Sequence, residues 1–329
     1  MGPRFRPGRK TILRVTSILG VFIFVFLVAK IGPGRIWDNL KGLALPSLVL
    51  LFILRTSYWI FRTLIWRTIL AGDPAVRAPS LGRLFGARIA GHAVSYLTPS
   101  AYLGGEAART LLVEGVNRKK VLASVVVDTT FEILALVLFA AAGIAVIVAG
   151  SMIPVPARLG LTVAMIASVL GLIFLVGRQR RGLFTWLVAL LGRLGIRPAF
   201  IERNRDKLRE VDANISGFYA RGRRAVVSLF LLDLLLHAFW VLEIHLTLRA
   251  LGAPGLTVGK SFLVVTLGAV GLLLPTTPAS LGTYEAANLA VFIGLGWSAG
   301  LSLSLALVRR VLALFWAGVG LVVIALHRR

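Results

Sequence analysis

The stretch LTPSAYLGGEAA (Leu97–Ala108) returns in altered form as TTPASLGTYEAA (Thr276–Ala287). In both copies a Glu-Ala-Ala triplet begins seven positions after a proline, and the two prolines are 179 residues apart (278 − 99). Each copy interrupts an apolar stretch, where proline breaks helical hydrogen bonds and a buried glutamate is costly. The sequence therefore predicts one structural unit that is used twice, each time with a broken helix.

The composition is that of a membrane protein with many spans. Of the 329 residues 57% are hydrophobic, and the mean hydropathy is +0.87; ordinary soluble domains do not reach such values. The 37 Lys and Arg residues exceed the 13 Asp and Glu residues, and they cluster at the ends of the apolar stretches. This pattern favours contact with anionic lipid head groups over contact with nucleic acid. The chain has no cysteine, which excludes disulfides and cysteine-based metal sites.

The apolar stretches predict clean transmembrane spans and two broken ones. Each clean stretch has about 18 residues or more, which is enough to cross a bilayer core. The first follows a basic N-terminus that has no good processing site, so we expect a retained helix and not a cleaved signal peptide. The clean spans are Ile12–Ala29, Leu45–Trp66, Val121–Ala149, Leu159–Val176, Ala225–Leu248 and Leu301–Leu326. The broken regions are Leu81–Val113 and Val258–Gly296.

The distribution of positive charge predicts the topology. Basic residues at both termini and in the connector 178–224 place these segments in the cytoplasm, under the inner or plasma membrane. The single transmembrane domain 1–329 then divides into halves of about 12–150 and 159–326. Each half has three spans and one broken re-entrant hairpin, and the two hairpins enter from opposite sides. Such an all-α inverted repeat is typical of secondary transporters; the alternative is eight ordinary spans with two kinked pairs.

The two broken hairpins carry the predicted binding site. Irregular backbone at membrane depth is tolerated only beside protein or a water-filled cavity. Free N–H groups at the start of each half-helix suit an anion such as phosphate. The glycines there either let the backbone approach a ligand or only permit tight helix packing. The stretch GRLFGARIA, with Gly82, Gly86 and Ala90 spaced four apart, has the same pattern of tight packing. The predicted substrate-binding residues are Arg88, His92, Pro99, Gly104, Gly105, Glu106, Arg109, Pro278, Gly282, Glu285, Arg309 and Arg310.

Two glutamates fall in the first turn of the predicted half-helices. Glu106 and Glu285 there either cap free N–H groups or bind a proton or a cation. Arg109 follows Glu106 by one helical turn. We expect Arg109 to pair with Glu106 at rest and with a lipid phosphate during transport.

Charged residues inside the spans are predicted to pair with one another. Arg55 and Arg62 share one face of the second span, and Asp128 and Glu132 share one face of the third. Ionisable groups at such depth usually face the interior of a helix bundle and find a partner. We assign these four residues to gating or charge pairing.

The last span carries a basic pair, Arg309 and Arg310, close to the place that corresponds to the acidic pair of the third span. This placement suggests a bridge between the acidic and the basic pair across the two halves, either static or acting as a gate. Asp233 and His237 are also four residues apart, which indicates a hydrogen-bonded structural pair and no metal site.

The two interrupted stretches resemble the flippase-like transmembrane domain of lysylphosphatidylglycerol synthases. The family pattern is a proline, a Gly-Gly-acid triplet and an arginine in the first copy, and a proline, Leu-Gly and a glutamate in the second. These are here Pro99, Gly104-Gly105-Glu106 and Arg109, then Pro278, Leu281-Gly282 and Glu285. Two departures are Glu106, often aspartate in the family, and Ala279-Ser280, where Gly-Gly is common. The resemblance implies movement of an anionic or phosphate-modified lipid between leaflets. It does not imply aminoacyl transfer, because the soluble transferase domain is missing.

The leading prediction is therefore a lipid translocator without a cofactor. Its partners would be membrane lipids of the anionic phospholipid or polyprenyl-phosphate type, and a separate lipid-modifying enzyme. The sequence contains none of the common nucleophile, nucleotide-binding or zinc-protease motifs. The alternatives are a membrane transferase or hydrolase for a lipid-linked phosphate or sugar, with Asp128, Glu132 or Glu106 as acid or base, and a subunit that positions another enzyme. The connector is either a lipid-surface anchor or a solvated link.

Overall fold

A computed structural model describes residues 43–73, 76–98, 103–149, 155–195, 203–272 and 283–327, together with the isolated positions 29 and 34. Every regular element in these ranges is a helix. The first predicted span and both motif prolines, Pro99 and Pro278, lie outside the described residues. The helices are α1 (Leu45–Ala71), α2 (Leu81–Leu97), α3 (Leu103–Leu112), α4 (Arg118–Ala149), α5 (Val155–Arg181), α6 (Leu183–Arg193), α7 (Arg205–Ala220), α8 (Arg223–Ala250), α9 (Val258–Leu272), α10 (Thr283–Gly294) and α11 (Ala299–Leu326).

Five of the described helices are long and apolar enough to cross a membrane: α1, α4, α8, α11 and the part of α5 from Leu159 onward. They confirm five of the predicted spans and a multi-pass membrane protein. The helices extend a few residues beyond the predicted bounds, because a helix continues through its polar flanks where hydropathy no longer indicates it. Both predicted interruptions also lie between separate helices, one between α2 and α3 and the other between α9 and α10.

Close helix packing occurs at glycines, where the absence of a side chain lets two backbones approach. A Cβ atom at Gly320 of α11 would lie 2.4 Å from the carbonyl oxygen of Ile89 in α2. Gly143 of α4 leaves room for the side chain of Thr266 in α9, whose Oγ1 would lie 2.0 Å from an added Cβ atom. The two contacts are related by one sequence offset of 177 residues (320 − 143 and 266 − 89). Helix α11 therefore packs on the first broken pair, and α4 packs on the second.

Within each broken pair a further glycine sets the spacing of the two helices. Gly91 of α2 lies against the aliphatic part of Arg109 and the backbone of Gly105 in α3, and Gly268 of α9 lies against Asn288 of α10. The sequence also indicated tight packing at Gly82, Gly86 and Ala90. Ala90 is fully buried, but a Cβ atom at Gly82 would meet nothing within 4 Å, and one at Gly86 would make only ordinary contact with Val323. Gly82 and Gly86 therefore set no close contact, because four-residue spacing does not show which face of a helix meets a neighbour.

The connector folds into helices that pack on the transmembrane bundle. Asp212 of α7 accepts hydrogen bonds from the backbone N–H groups of Phe184 (2.9 Å) and Thr185 (2.7 Å), which caps the start of α6. The Tyr219 hydroxyl donates to Gln179 at 2.8 Å, and the Gln179 amide donates to Thr130 of α4 at 2.6 Å. Burial raises the pKa of Tyr219 to about 12, so this hydroxyl remains a donor at neutral pH.

The close approach at Gly320 predicts a specific loss of stability. Gly320→Ala places a methyl group against a backbone carbonyl that cannot rotate away, and such overpacking costs about 1–3 kcal/mol. We expect a lower apparent melting temperature for the purified variant in detergent. Gly171→Ala in α5 is the matched control, because its Cβ atom meets nothing within 4 Å. Equal melting temperatures for the two variants would contradict the packing described here.

Candidate functional site

A buried set of opposite charges joins five helices. It contains arginines from α1, α2 and α3, two carboxylates from α4, one from α3 and one from α8. Such groups are too costly to bury singly, and in this cluster they lie within ion-pair distance of one another. We call the following residues the arginine–carboxylate cluster: Arg62, Arg88, Arg109, Glu106, Asp128, Glu132 and Asp233.

Asp128 is the centre of this cluster and is fully buried. One of its oxygens, Oδ2, accepts hydrogen bonds from Arg88 at 2.7 Å and from Arg109 at 2.6 Å. Its other oxygen lies 3.6 Å from Arg62. Three guanidinium groups from three helices therefore surround a single carboxylate. The Trp66 ring lies beside two of them, 4.2 Å from the guanidinium of Arg109 and 5.5 Å from that of Arg88.

The outer members of the cluster give the three arginines further carboxylate partners, so that the cluster holds three arginines and four carboxylates. Arg62 donates to Glu132 and to Asp233, in addition to lying near Asp128. Arg109 donates to Glu106 at 3.1 Å, which confirms the predicted pair within the first motif. The side chains of Glu106 and Glu132 are 21% and 37% exposed, so the edge of the cluster is open while its centre is closed.

A second group of polar residues lies beside α11 and joins the two interrupted regions. Arg310 forms an ion pair with Glu285, with Nε donating at 2.6 Å, and it also donates to the Tyr96 hydroxyl at 3.4 Å. Tyr96 precedes the first motif proline by three residues, and Glu285 follows the second by seven. One buried arginine therefore contacts the helix that precedes one break and the helix that follows the other.

Arg309 has a different environment from its neighbour. Its guanidinium lies 4.8 Å from the ring centres of both Trp240 and Tyr284, and it donates to the Tyr284 hydroxyl. No carboxylate of the described ranges lies within ion-pair distance of it, and its side chain is only half-buried. Arg309 is thus a cation that is held by aromatic rings without a neutralising charge among these residues. We call Tyr96, Trp240, Tyr284, Glu285, Arg309 and Arg310 the α11 site.

The sequence comparisons identify the family. The family model described as the lysylphosphatidylglycerol synthase TM region matches residues 12–320. The chain belongs to this family. A UPF0104 membrane protein of Methanothermobacter thermautotrophicus is similar to it, with 27% identity over 328 residues, covering 93% of this chain and 90% of that protein. No solved structure matches.

The charge bridge suggested between the acidic pair of the third span and the basic pair of the last span does not form in the structure. Asp128 and Glu132 pair with arginines of α1, α2 and α3, while Arg310 pairs with Glu285 of α10. The physical reason is proximity, because each charged pair has an oppositely charged partner on a helix packed directly beside it. Arg55 also pairs, with Nη2 2.5 Å from the Glu243 carboxylate.

Arg88 and His92, both predicted to bind substrate, have different partners. Arg88 enters the arginine–carboxylate cluster, whereas Nε2 of His92 lies 3.4 Å from the carbonyl of Ala313 in α11. The predicted hydrogen-bonded pair of Asp233 and His237 forms, with Nδ1 of the His237 ring 2.8 Å from the backbone carbonyl oxygen of Asp233.

Several residues of both groups were not predicted from the sequence. Trp66 and Trp240 carry no distinguishing pattern, because aromatic residues are common in apolar spans. Tyr96 and Tyr284 were detectable in principle, since each lies in or beside a repeated stretch. Among the described residues, Gly104 and Gly105 lie in α3, and no group of three metal-ligating side chains is present. Pro99, Pro278 and Gly282 lie outside those residues.

The position of Asp128 predicts a large stability effect. Asp128→Asn removes the charge that neutralises Arg88 and Arg109, and leaving buried charges unpaired costs about 3–5 kcal/mol. We expect poor folding and a strongly lowered melting temperature in detergent. Glu132→Gln, at the exposed edge, is the milder control.

A double variant tests whether the loss of stability comes from the unpaired charge. In the double variant Asp128→Asn with Arg88→Gln, one of the orphaned charges is gone, and we expect part of the stability to return. A double variant no more stable than Asp128→Asn alone would show that the cluster is not held together by this charge balance.

Proposed function

We propose that this chain is a lipid translocator that moves an anionic or phosphate-bearing lipid between the leaflets. The head group passes through a polar seam between two re-entrant hairpins, α2–α3 and α9–α10, while the acyl or prenyl tails stay in the bilayer. The observation that carries this proposal is the contact of Arg310 with both Tyr96 and Glu285. It supports a meeting of the two interrupted regions beside a basic residue.

The packing contacts support an inverted repeat. If the halves are related by a two-fold axis, a contact of α11 on α2 requires an equivalent contact of α4 on α9. The contacts at Gly320 and Gly143 have this relation, with one offset of 177 residues. The contacts within the hairpins are similarly related, since Gly91 meets Arg109 where Gly268 meets Asn288, at offsets of 177 (268 − 91) and 179 (288 − 109) residues. This arrangement favours alternating access by rocking of one half against the other.

Arg309 is the residue best suited to receive a lipid phosphate. A guanidinium can bind two phosphate oxygens at once, and stacking on aromatic rings leaves its N–H edge available. The other buried arginines of the two groups are already neutralised by carboxylates, at Asp128, Glu132, Asp233, Glu106 and Glu285. A phosphate that binds Arg309 displaces no internal carboxylate from it, so this step costs little.

The Arg109–Glu106 pair gives a second contact point at the open edge of the cluster. Glu106 acts as the counterion of Arg109 when no lipid is present, and a phosphate takes its place during transport. Asp128 meanwhile keeps Arg109 and Arg88 in position. The displaced Glu106 carboxylate lies at the open edge of the cluster, where its side chain is 21% exposed, and not in the closed centre, where an unpaired charge would be most costly.

We place the protein in the inner or plasma membrane with both termini in the cytoplasm, on the positive-inside rule. Anionic phospholipids and polyprenyl-phosphate lipids are the proposed substrates, and a separate enzyme that modifies the lipid is the proposed partner. Chemistry on the lipid is not part of the proposal.

Replacing Arg309 tests the proposed phosphate contact. Arg309→Gln should slow flipping of a fluorescent anionic lipid in proteoliposomes by about tenfold or more, because a hydrogen bond to a charged group contributes about 1.5–3 kcal/mol. Leaflet distribution is read by dithionite quenching, and mass spectrometry of the same vesicles tests whether the lipid is altered. Arg309 has no carboxylate partner in the described ranges, so its loss should not unfold the protein.

Two further variants make the result specific. Arg178→Gln also removes an arginine that stacks on a tryptophan, but in α5 away from the α11 site, and it should flip lipid at the wild-type rate. Arg309→Lys keeps the charge but loses the planar fork, and an intermediate rate is expected. Wild-type flipping by folded Arg309→Gln would reject the site, and a chemically altered lipid would support the enzyme alternative.

A further inference from the structure

Helix α6 is strongly apolar, yet it buries none of its side chains in the protein. In a protein that faces water, such a helix would be an exposed apolar patch of the kind that marks an interaction surface. Its large apolar residues are Leu183, Phe184, Trp186, Leu187, Val188, Leu190 and Leu191. The helix has 11 residues. At 1.5 Å per residue it measures roughly 16 Å, about half of the bilayer core, so it cannot cross the membrane.

Two opposite sides of α6 differ in polarity. With 3.6 residues per turn, Leu183, Leu187, Leu190 and the following Leu194 lie along one side, and Thr185, Ala189 and Arg193 lie along the opposite side. Leu187 is 41% exposed and Leu194 is 65% exposed. Alternating faces of this kind are characteristic of helices that lie in the plane of a membrane surface.

The protein holds α6 in one orientation, so its apolar face points in a fixed direction. Trp186 packs on the end of α5, 5.5 Å from Phe174 and 4.8 Å from the guanidinium of Arg178. On the other side, Asp212 of α7 binds the first turn of α6 through two backbone N–H groups and the Thr185 hydroxyl. The sharp turn from α5 into α6 uses Gly182 at φ +98°, a conformation that glycine adopts without strain.

Positive charge flanks α6 at both ends. Arg180 and Arg181 end α5, and Arg193 ends α6; all three are exposed. Within the described ranges none of them has a carboxylate partner at ion-pair distance, although carboxylates elsewhere on the connector do pair, as Glu210 does with Lys119. Unpaired arginines beside exposed leucines match the two layers of a membrane surface, which are anionic head groups and acyl chains.

We propose that α6 lies in the interface of the bilayer and binds anionic lipid, with its leucine face among the acyl chains and its arginines on lipid phosphates. This proposal does not depend on lipid translocation, because it concerns the connector and not the seam. The segment 178–195 is then a lipid-bound part of the bundle, and α7 packs on its protein-facing side.

Spin labels on single cysteines test the placement, and the cysteine-free chain needs no background changes. Leu187→Cys reports the leucine face, and Ala189→Cys reports the opposite face one half-turn away. In vesicles containing phosphatidylglycerol we expect the label at 187 to collide mainly with oxygen, and the label at 189 mainly with a water-soluble nickel chelate. Equal nickel access at both positions would place α6 in water and overturn the proposal. Spin–spin broadening at 187 would indicate a second copy of the chain on this face, and would also overturn it.

A charge variant tests whether these arginines bind anionic lipid head groups. Replacing Arg180, Arg181 and Arg193 with glutamine should move the label at 187 outward in phosphatidylglycerol vesicles, with a several-fold rise in nickel access, and have little effect in phosphatidylcholine. The matched control removes three exposed arginines elsewhere, Arg77, Arg83 and Arg118, and should leave the label unchanged. No shift with the first variant, or the same shift in both lipids, would show that anionic head groups are not what these arginines bind.

Discussion

The architecture depends on one constraint, which is that an arginine buried in an apolar helix bundle needs a counterion within reach. Asp128 supplies this for Arg88 and Arg109 and lies close to Arg62. Since these three arginines come from α1, α2 and α3, and Asp128 from α4, one carboxylate holds four helices in register. Two helices in apolar contact can shift along each other at little cost. A network of directed hydrogen bonds in a medium of low dielectric, in contrast, has few alternative arrangements.

The same constraint separates structural arginines from available ones. A guanidinium that is bound to carboxylates receives a phosphate only by giving up one of them, whereas one held by aromatic rings has no carboxylate to give up. Arg310 and Arg309 are adjacent in sequence and fall into these two classes, one on Glu285 and the other between Trp240 and Tyr284. Position in a span says little about such a difference; the neighbours of each side chain decide it.

Sequence reasoning succeeded for features that depend on residues close together in the chain, and failed for features that depend on residues far apart in it. The spans α1, α4 and α8 and both interruptions were predictable, because hydropathy and proline act locally. The Glu106–Arg109 pair was predictable for the same reason, since the two residues are one helical turn apart. The bridge from α4 to α11 was wrong, and the packing pattern at Gly82 and Gly86 did not indicate the close contacts at Gly91 and Gly320. Both errors concern which helix faces meet.

The sequence by itself determined the class of protein, the family, the apolar helices and the two repeated interruptions, because composition, spacing and local backbone chemistry are properties of the chain alone. Only the tertiary structure decided that Asp128 gathers three arginines, that Arg310 reaches both interrupted regions and that Leu187 and Leu194, along one side of α6, are left exposed. These are outcomes of packing. The free energy of a buried charge or an exposed apolar face depends on what other segments, often more than a hundred residues away, bring beside it.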